Sequence, residues 1–465
     1  MNRFLIGRPQ RQDFFTMSHA TGNFDPMATA REGTYWQPFT ASRRLSANPA
    51  PRTMVGAEGA YYKTIEGNRL FDTLSGLWCT PLGHAHPLIA EAVKTQVETL
   101  DFAPSFQLTH PGALQLAQRI TSMAPDGMNH VFFANSGSEA VDTALKVALG
   151  YHRTRAEGNR FRMIGRERGY HGVGFGGMSV GGIVSNRKMF AAGMIPGVDH
   201  LRHLYVPEQM AFSRGQPAWG ADLADDLERL VALHDASTIA AVIVEPVQGS
   251  TGVLVPPVGY LQRLREICTR HGILLIFDEV ITGFGRMGAA FGAQRFGVTP
   301  DMICFAKAVT NGIVPMGGVI VSDAIYNTFM TGPENAIEFC HGYTYSGHPL
   351  AAAVGNVVLD VMEREDLFAQ VRVLEPVLEE SIHTLSDLPV VADIRNIGLT
   401  AAIDLKPAEG KPGARGLAVF EAGLQQGQLL RCTADTISFG PPFISTAQEL
   451  RDMVATVRNL ISAVA

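Results

Sequence analysis

Disulfide chemistry is the first thing this sequence lacks. Five cysteines, Cys79, Cys268, Cys304, Cys340 and Cys432, are scattered through 465 residues with no C-x-x-C pair. An odd, unclustered set builds no disulfide framework and fits a reducing cytoplasm. No apolar run approaches the ~18 residues that a membrane-crossing helix needs. Met1–Phe15 sets Arg3, Arg8 and Arg11 against Asp13, but has no continuous apolar segment and no small-residue cleavage site. That argues against a secretory signal. A net charge of −6 gives no electrostatic case for nucleic acid. Metal chemistry finds no support either: His84-Ala-His86 has no third ligand at helical or strand spacing, and there is no H-E-x-x-H. Neither a G-x-S-x-G nucleophile turn nor a phosphate-binding G-x-x-x-x-G-K-[ST] loop occurs, and no internal repeat or low-complexity segment is found. With 46% hydrophobic and 18% charged residues, the chain is globular rather than disordered. Its length suits two or three domains.

What the sequence does have is concentrated in Ile273–Gly288, ILLIFDEVITGFGRMG, and in Phe305-Ala306-Lys307. Each begins as a short apolar run of the kind that forms a strand buried on both faces. Ligands of such sheets bind beyond the carboxyl ends of the strands, so Asp278 and Lys307 are expected to face one crevice. An acid beside an amine there suits a cofactor with a pyridinium nitrogen and an aldehyde, which describes pyridoxal 5'-phosphate. The plain alternative, a turn-capping Asp278 and a surface Lys307, stands beside it on these two residues alone.

The rest of the chain strengthens the first reading. From residue 222 helices and buried strands alternate: Asp222–His234, Ile239–Val244, Tyr260–His271, Ile273–Phe277, Met302–Phe305 and Gly317–Val321. That rhythm predicts a parallel, doubly wound sheet. Glu245, Asp278 and Lys307 all fall at strand ends. Upstream, Ala57–Asp72 reads as a hairpin, Leu88–Thr99 as a helix and His130–Ala134 as a strand. The strand runs into NSGSEAVDTALKVALGYH, where Ser136 and Glu139 have capping-box spacing. A phosphate can also sit at such a helix start, and Gly137 lets the backbone come close. The basic stretch Ala156–Arg168 reads as a solvated surface, since no aromatics interleave with its arginines. Gly172–Gly177 satisfies G-x-G-x-x-G, but RERGYH precedes it and MSVGGIVSN, a poor helix former, follows. It is rejected as a dinucleotide site, which needs a strand before and a helix after. Glu363–Leu385 is expected to be helical, and Val390–Asp404 and Leu429–Phe439 to have strand character.

In order, NSGSEA, GYHG, the Glu245-Pro246 pair after a buried strand, DEVITGFGR, FAK and HGYTYSGHP resemble the class III pyridoxal-phosphate aminotransferases from about residue 35 to the C-terminus. The resemblance implies the fold-type-I architecture of aspartate aminotransferase-like enzymes, α/β with a mainly parallel central sheet in a large domain and a smaller α+β domain. The expected division is 1–85 as an N-terminal segment and hairpin, 86–345 as the large cofactor-binding domain and 346–465 as the small domain. It implies Lys307 as the Schiff-base lysine and proton shuttle, and Asp278 as partner of the pyridine nitrogen. Val280 and Tyr170 would cover the two ring faces, and Ser136, Gly137 and Ser138 would hold the phosphate. His171 and Glu245 would lie nearby in support. Thr344 would reach the phosphate of a neighbouring subunit, making a homodimer, or a dimer of dimers, the implied assembly. Trp78, Phe106, Tyr170 and Arg431 would meet the substrate, although Cys432-Thr433-Ala434 stands where relatives have a glycine-containing stretch. The implied reaction moves an amino group from an ω-amino acid such as β-alanine, or from an amine, to pyruvate. Taurine or polyamine donors are the nearest alternatives, and decarboxylation or amino-group migration on the same fold is a more distant one.

Overall fold

The computed structural model describes residues 24–464, so the reading of Met1–Phe15 lies outside the described residues. The chain forms two compact units, 24–55 with 64–68, and 56–63 with 69–464. In the first, the helix Pro26–Glu32 starts on Asp25, whose carboxylate accepts from the N–H groups of Met27 and Ala28. These are donors that no helical carbonyl can reach. A second short helix, Ser42–Ala47, follows it.

The second unit is built on seven strands: β1 (His130–Ala134), β2 (Arg162–Arg166), β3 (Val198–Leu201), β4 (Ile239–Val244), β5 (Leu274–Asp278), β6 (Met302–Ala306) and β7 (Gly317–Val321). Their order across the sheet is β1-β7-β6-β5-β4-β2-β3. Every residue of β4, β5, β6 and β7 is buried, because helices cover both faces. At about 1.5–3 kcal/mol for each fully buried large apolar side chain, these strands are the main stabilising block of the unit. All neighbours from β3 to β6 run parallel. By contrast β7 runs against both β6 and β1. A buried apolar run announces a strand but carries no sign of its direction.

The reversal matters to the site. Gly317 enters the sheet between the tips of β6 and β1, level with Ala306 and Ala134. A Cβ there would lie 2.5 Å from the Ser136 carbonyl oxygen, so a side chain at this position would push apart the two strand ends that carry Lys307 and Ser136. From Ser136 the chain enters α1 (Gly137–Thr154), which buries Ala140, Val141, Ala144, Leu145, Val147 and Ala148 along one face. The Ser136 hydroxyl accepts from Glu139 N–H at 3.1 Å. The Glu139 carboxylate reaches one residue beyond the expected capping box, to Asn135 N–H at 2.7 Å.

Other expectations are corrected. Arg166 is not on a solvated surface: it ends β2 with 1% exposure, donating to the Glu245 carbonyl at 2.6 Å. The expected helix across Glu363–Leu385 is instead two, Pro349–Arg364 and Leu367–His383, broken where Asp366 takes φ +47°. Helices also form over Phe175–Val180 and Val184–Met189, where weak intrinsic propensity suggested none. Toward the C-terminus, Val391–Ile397, Thr400–Leu405, Thr436–Phe439 and Arg431–Thr433 make an antiparallel sheet. Among the described residues, no helix is long and apolar enough to cross a membrane.

Candidate active site

Gly137, Ser138, Tyr170, His171, Gly172, Glu245, Asp278, Val280, Ile281 and Lys307 line one cavity at the carboxyl ends of the strands. Parallel pairing sets Asp278 level with Cys304, three residues before Lys307. Both chemical groups therefore leave the sheet on the same edge. The Asp278 carboxylate accepts from His171 Nδ1 at 2.8 Å and from Val280 N–H at 3.2 Å. Lys307 holds φ +55°, a left-handed conformation that costs a side-chain-bearing residue about 1–2 kcal/mol. The sharp turn carries its side chain off the strand and into the cavity. Enclosure lowers the Lys307 amine from the ordinary lysine value, with Cys79, Asp278 and Glu245 opposing. More of the amine is then unprotonated near neutrality, the state that can bond to an aldehyde or take a proton. Burial likewise pushes the Glu245 carboxyl up to about 7, although His171 opposes the shift. Its Oε1 accepts from Tyr170 N–H at 2.9 Å.

At the other end of the cavity stands the start of α1. Among the described residues nothing accepts from the N–H groups of Gly137 and Ser138. Eighteen aligned peptide dipoles add partial positive charge there, so the pair is suited to receive an anion. Val280 packs on Gly137 so closely that a Cβ would lie 3.0 Å from both of its methyl carbons. Burial raises the Tyr170 hydroxyl above its ordinary value; Asp278 and Glu245 add to this, and Arg431 opposes it.

These features fit pyridoxal phosphate. The unpartnered helix N–H groups suit its phosphate, and Asp278 suits its ring nitrogen. Val280 and Tyr170 supply walls for the ring, and Lys307 suits its aldehyde. The His171 Nε2 atom is buried and has no partner among the described residues.

Other expected site residues stand apart from this cavity lining. Ser136 caps α1 from outside. Thr344 is exposed in the turn after Tyr343. Phe106 is 62% exposed and leans on the same segment, since a Cβ on Gly342 would touch its ring at 3.2 Å. Arg431 is exposed at the start of its strand, and among the described residues it has no ion pair. Trp78 is 5% exposed, with its ring against Gly440. It ends a single left-handed helical turn, Ser75–Trp78, closed by Trp78 N–H to the Leu74 carbonyl at 2.7 Å.

Three further residues were not foreseen. Gly172 and Ile281 line the cavity. Arg286, at the end of DEVITGFGR, is 2% exposed and donates to the Pro441 carbonyl at 2.6 Å and to the Ser75 hydroxyl at 3.1 Å. Burial pushes its guanidinium down to about 9. It pins the left-handed turn that carries Trp78, and its motif position was the only signal for it.

Residues 44–461 match the model of the family described as aminotransferase class-III. An omega-aminotransferase of Caulobacter vibrioides is 53% identical over 430 residues, 92% of this chain and 97% of the relative. A beta-alanine–pyruvate aminotransferase of Pseudomonas aeruginosa is 50% identical over 437 residues, covering 93% and 96%. Among solved structures, an omega transaminase from Pseudomonas jessenii in complex with PMP superposes with a TM-score of 0.89 at 29% identity, covering 95% of this chain and 98% of that one.

Proposed function

The chain belongs to the class III aminotransferases, with their fold-type-I α/β architecture, and from that premise we propose that it transfers the amino group of an ω-amino acid such as β-alanine, or of a primary amine, to pyruvate, yielding alanine. The observation that carries the chemistry is the shared cavity of Asp278, Lys307 and the bare N–H groups that open α1. Bound there, pyridoxal phosphate supplies an aldehyde that captures the donor's nitrogen and a ring that accepts electrons. Lys307 would hold the aldehyde, and its Nζ would carry the proton taken from, and returned to, the carbon bearing nitrogen. Asp278 keeps a positive charge on the ring nitrogen, and His171 fixes the carboxylate's direction. Gly137 and Ser138 anchor the phosphate, while Tyr170 and Val280 bracket the ring.

Ser136 orders the phosphate helix, and Glu245 fixes Tyr170 through its backbone. In the proposed homodimer, or dimer of dimers, Thr344 serves a neighbouring subunit's phosphate. The reading also keeps the cofactor-binding portion at 86–345 and a smaller C-terminal portion from 346. It places the enzyme in the cytoplasm, in keeping with five unpaired cysteines.

Trp78, Phe106, Tyr170 and Arg431 form the substrate side. On this reading Arg431 grips a carboxylate in a bidentate, charge-assisted contact worth about 1.5–3 kcal/mol. Arg431→Ala is expected to lower kcat/KM for both β-alanine and pyruvate about 10–100-fold, and to lower it much less for an amine without a carboxylate. Steady-state rates with the two donor types check this; equal losses, or none, would remove the assigned role. Relatives that use 2-oxoglutarate commonly carry an arginine directly after the aromatic-His-Gly motif. Here that place belongs to Val173, 55% exposed. Pyruvate is therefore expected to outpace 2-oxoglutarate by at least about tenfold, the contribution of one lost charge-assisted contact. A preference for 2-oxoglutarate in the same assay would sink this reading.

A donor panel against the purified yellow protein, with pyruvate added in a second step, tests the whole proposal. Bleaching by β-alanine and return of colour with pyruvate are expected. Colour loss with release of carbon dioxide, or turnover with no keto acid present, would point to another reaction on the same fold.

A further inference from the structure

We infer that Asp142 is a positioning residue, clamping the glycine-rich loop behind Tyr170 and His171 onto α1 so that the ring end and the phosphate end of the cofactor site stay in register. The inference rests on the function proposed above. Asp142 touches neither end. It lies one turn below Ser138 on α1, and residues four apart share a helix face. Both side chains reach the same loop. The Ser138 hydroxyl accepts from Val173 N–H at 3.1 Å, and Asp142 Oδ1 accepts from Gly177 N–H at 2.8 Å.

The glycines of this loop are where the close approach demands them. A Cβ on Gly174 would overlap Asp142 Oδ2 and lie 2.9 Å from its Cγ. One on Gly176 would lie 2.6 Å from Asp142 Oδ1, and one on Gly177 would overlap the His171 carbonyl. The loop thus wraps a carboxylate on one side and the His171 backbone on the other. Three residues before Gly174, His171 Nδ1 holds Asp278 at 2.8 Å. The G-x-G-x-x-G pattern does follow a strand, β2, and does lead into the short helix Phe175–Val180. Its anion, however, is already supplied from within the chain. Burial raises the Asp142 carboxyl above its usual range, opposed by the Gly177 N–H and by Lys146, while Glu139 adds to the rise.

The pieces that must agree come from different elements: Asp278 from β5, Tyr170 and His171 from the loop after β2, and Gly137 and Ser138 from α1. The Ser138 and Asp142 contacts are two adjacent fastenings between the loop and the helix. Losing the lower one lets the loop pivot about the upper, which shifts Tyr170 and His171 against the ring while the phosphate stays in place.

The test uses the full-length protein loaded with pyridoxal phosphate, comparing Asp142→Ala, Asp142→Asn, Gly174→Ala and the double variant Gly174→Ala/Asp142→Ala. Readouts are the cofactor dissociation constant, visible circular dichroism of the bound cofactor, and the separate kcat and KM for β-alanine. Asp142→Ala is expected to weaken cofactor binding about tenfold and to diminish the visible dichroism, with far-ultraviolet dichroism unchanged. Asp142→Asn, whose amide oxygen can still accept from Gly177, restores most of the affinity. Gly174→Ala weakens binding as well, and the double variant binds more tightly than Gly174→Ala alone, because the new Cβ then has space. Should Asp142→Ala fail to fold, Asp142→Ser, too short to reach Gly177, carries the same expectation. Wild-type affinity and dichroism in the alanine or serine variant would overturn the inference, as would a double variant no better than Gly174→Ala. Failure of the wild-type chain to take up pyridoxal phosphate would instead overturn the proposed function, and this inference with it.

Discussion

Lys307→Ala is expected to lose turnover and the yellow colour together, while the chain stays folded. Two separate losses combine. The first is the covalent anchor, so the cofactor is held only by its phosphate and ring contacts and is removed by dialysis. The second is the proton carrier. General acid–base catalysis by a positioned side chain contributes about 10²–10⁴-fold, and no neighbour can replace it. Glu245 is the nearest group with a suitably shifted carboxyl, but it is committed to Tyr170 N–H at 2.9 Å. Asp278 is committed to His171 and Val280. Turnover is therefore expected to fall by at least about 10⁴-fold, the upper end of that range with the anchor lost as well. Folding has little to lose, because the Lys307 side chain forms no hydrogen bond or ion pair with the described residues and lies beyond the packed end of β6. Alanine keeps the left-handed strain rather than relieving it, so the thermal midpoint should move by only a few degrees. The measurement is alanine formation alongside the visible spectrum after dialysis. A variant that kept its colour and a rate within tenfold of wild type would rule out Lys307 as the anchoring lysine.

The frame behind this prediction was legible because buried strands advertise themselves. β4, β5 and β6 are short apolar runs with no polar interruption, and their ends carry Glu245, Asp278 and Lys307. The start of α1 was legible because Ser136 and Glu139 have a spacing with one physical use. Features decided by distant partners were not. The direction of β7 depends on which strand ends it joins, and its own residues are silent on that. Arg166 looked like one more surface arginine until the Glu245 carbonyl gave its guanidinium a buried partner. The helix Phe175–Val180 has poor intrinsic propensity, yet Asp142 on α1 holds its last-placed glycine contact from outside. The left-handed turn at Ser75–Trp78 opposes the preference of Leu77 and Trp78 themselves. Ser75 keeps it in place by donating to the Gly440 carbonyl at 2.6 Å and accepting from Arg286. For Arg166, Phe175–Val180 and Ser75–Trp78, tertiary contacts overrode a local rule.

Asp278→Asn is the second substitution with a large expected effect, and it should fail differently. Asparagine has almost the same shape, so one carbonyl oxygen can still accept from either His171 or Val280. What disappears, on the proposed reading, is the negative charge that Asp278 would set against the ring nitrogen. Without it the ring holds a positive charge poorly and accepts electrons poorly, so the loss falls on the proton-transfer step. Removing one preorganised electrostatic partner from an enclosed site costs about 10²–10³-fold in kcat. Asp278 is 5% exposed, so water cannot take over its role. The substitution also sets an asparagine N–H against one of two donors, His171 Nδ1 or Val280 N–H, so some loss of cofactor affinity accompanies the loss of rate. Lys307 is untouched, and the covalent bond still forms. The variant is thus expected to remain yellow after dialysis, to bind β-alanine with a KM near that of wild type and to turn over very slowly. Deuteration of the donor at the carbon bearing nitrogen should give a larger rate effect than in wild type, because proton removal has become the slow step. A variant with kcat within threefold of wild type would show that the ring's charge is set elsewhere. One that bleached on dialysis would assign Asp278 to holding the cofactor rather than to its electronics.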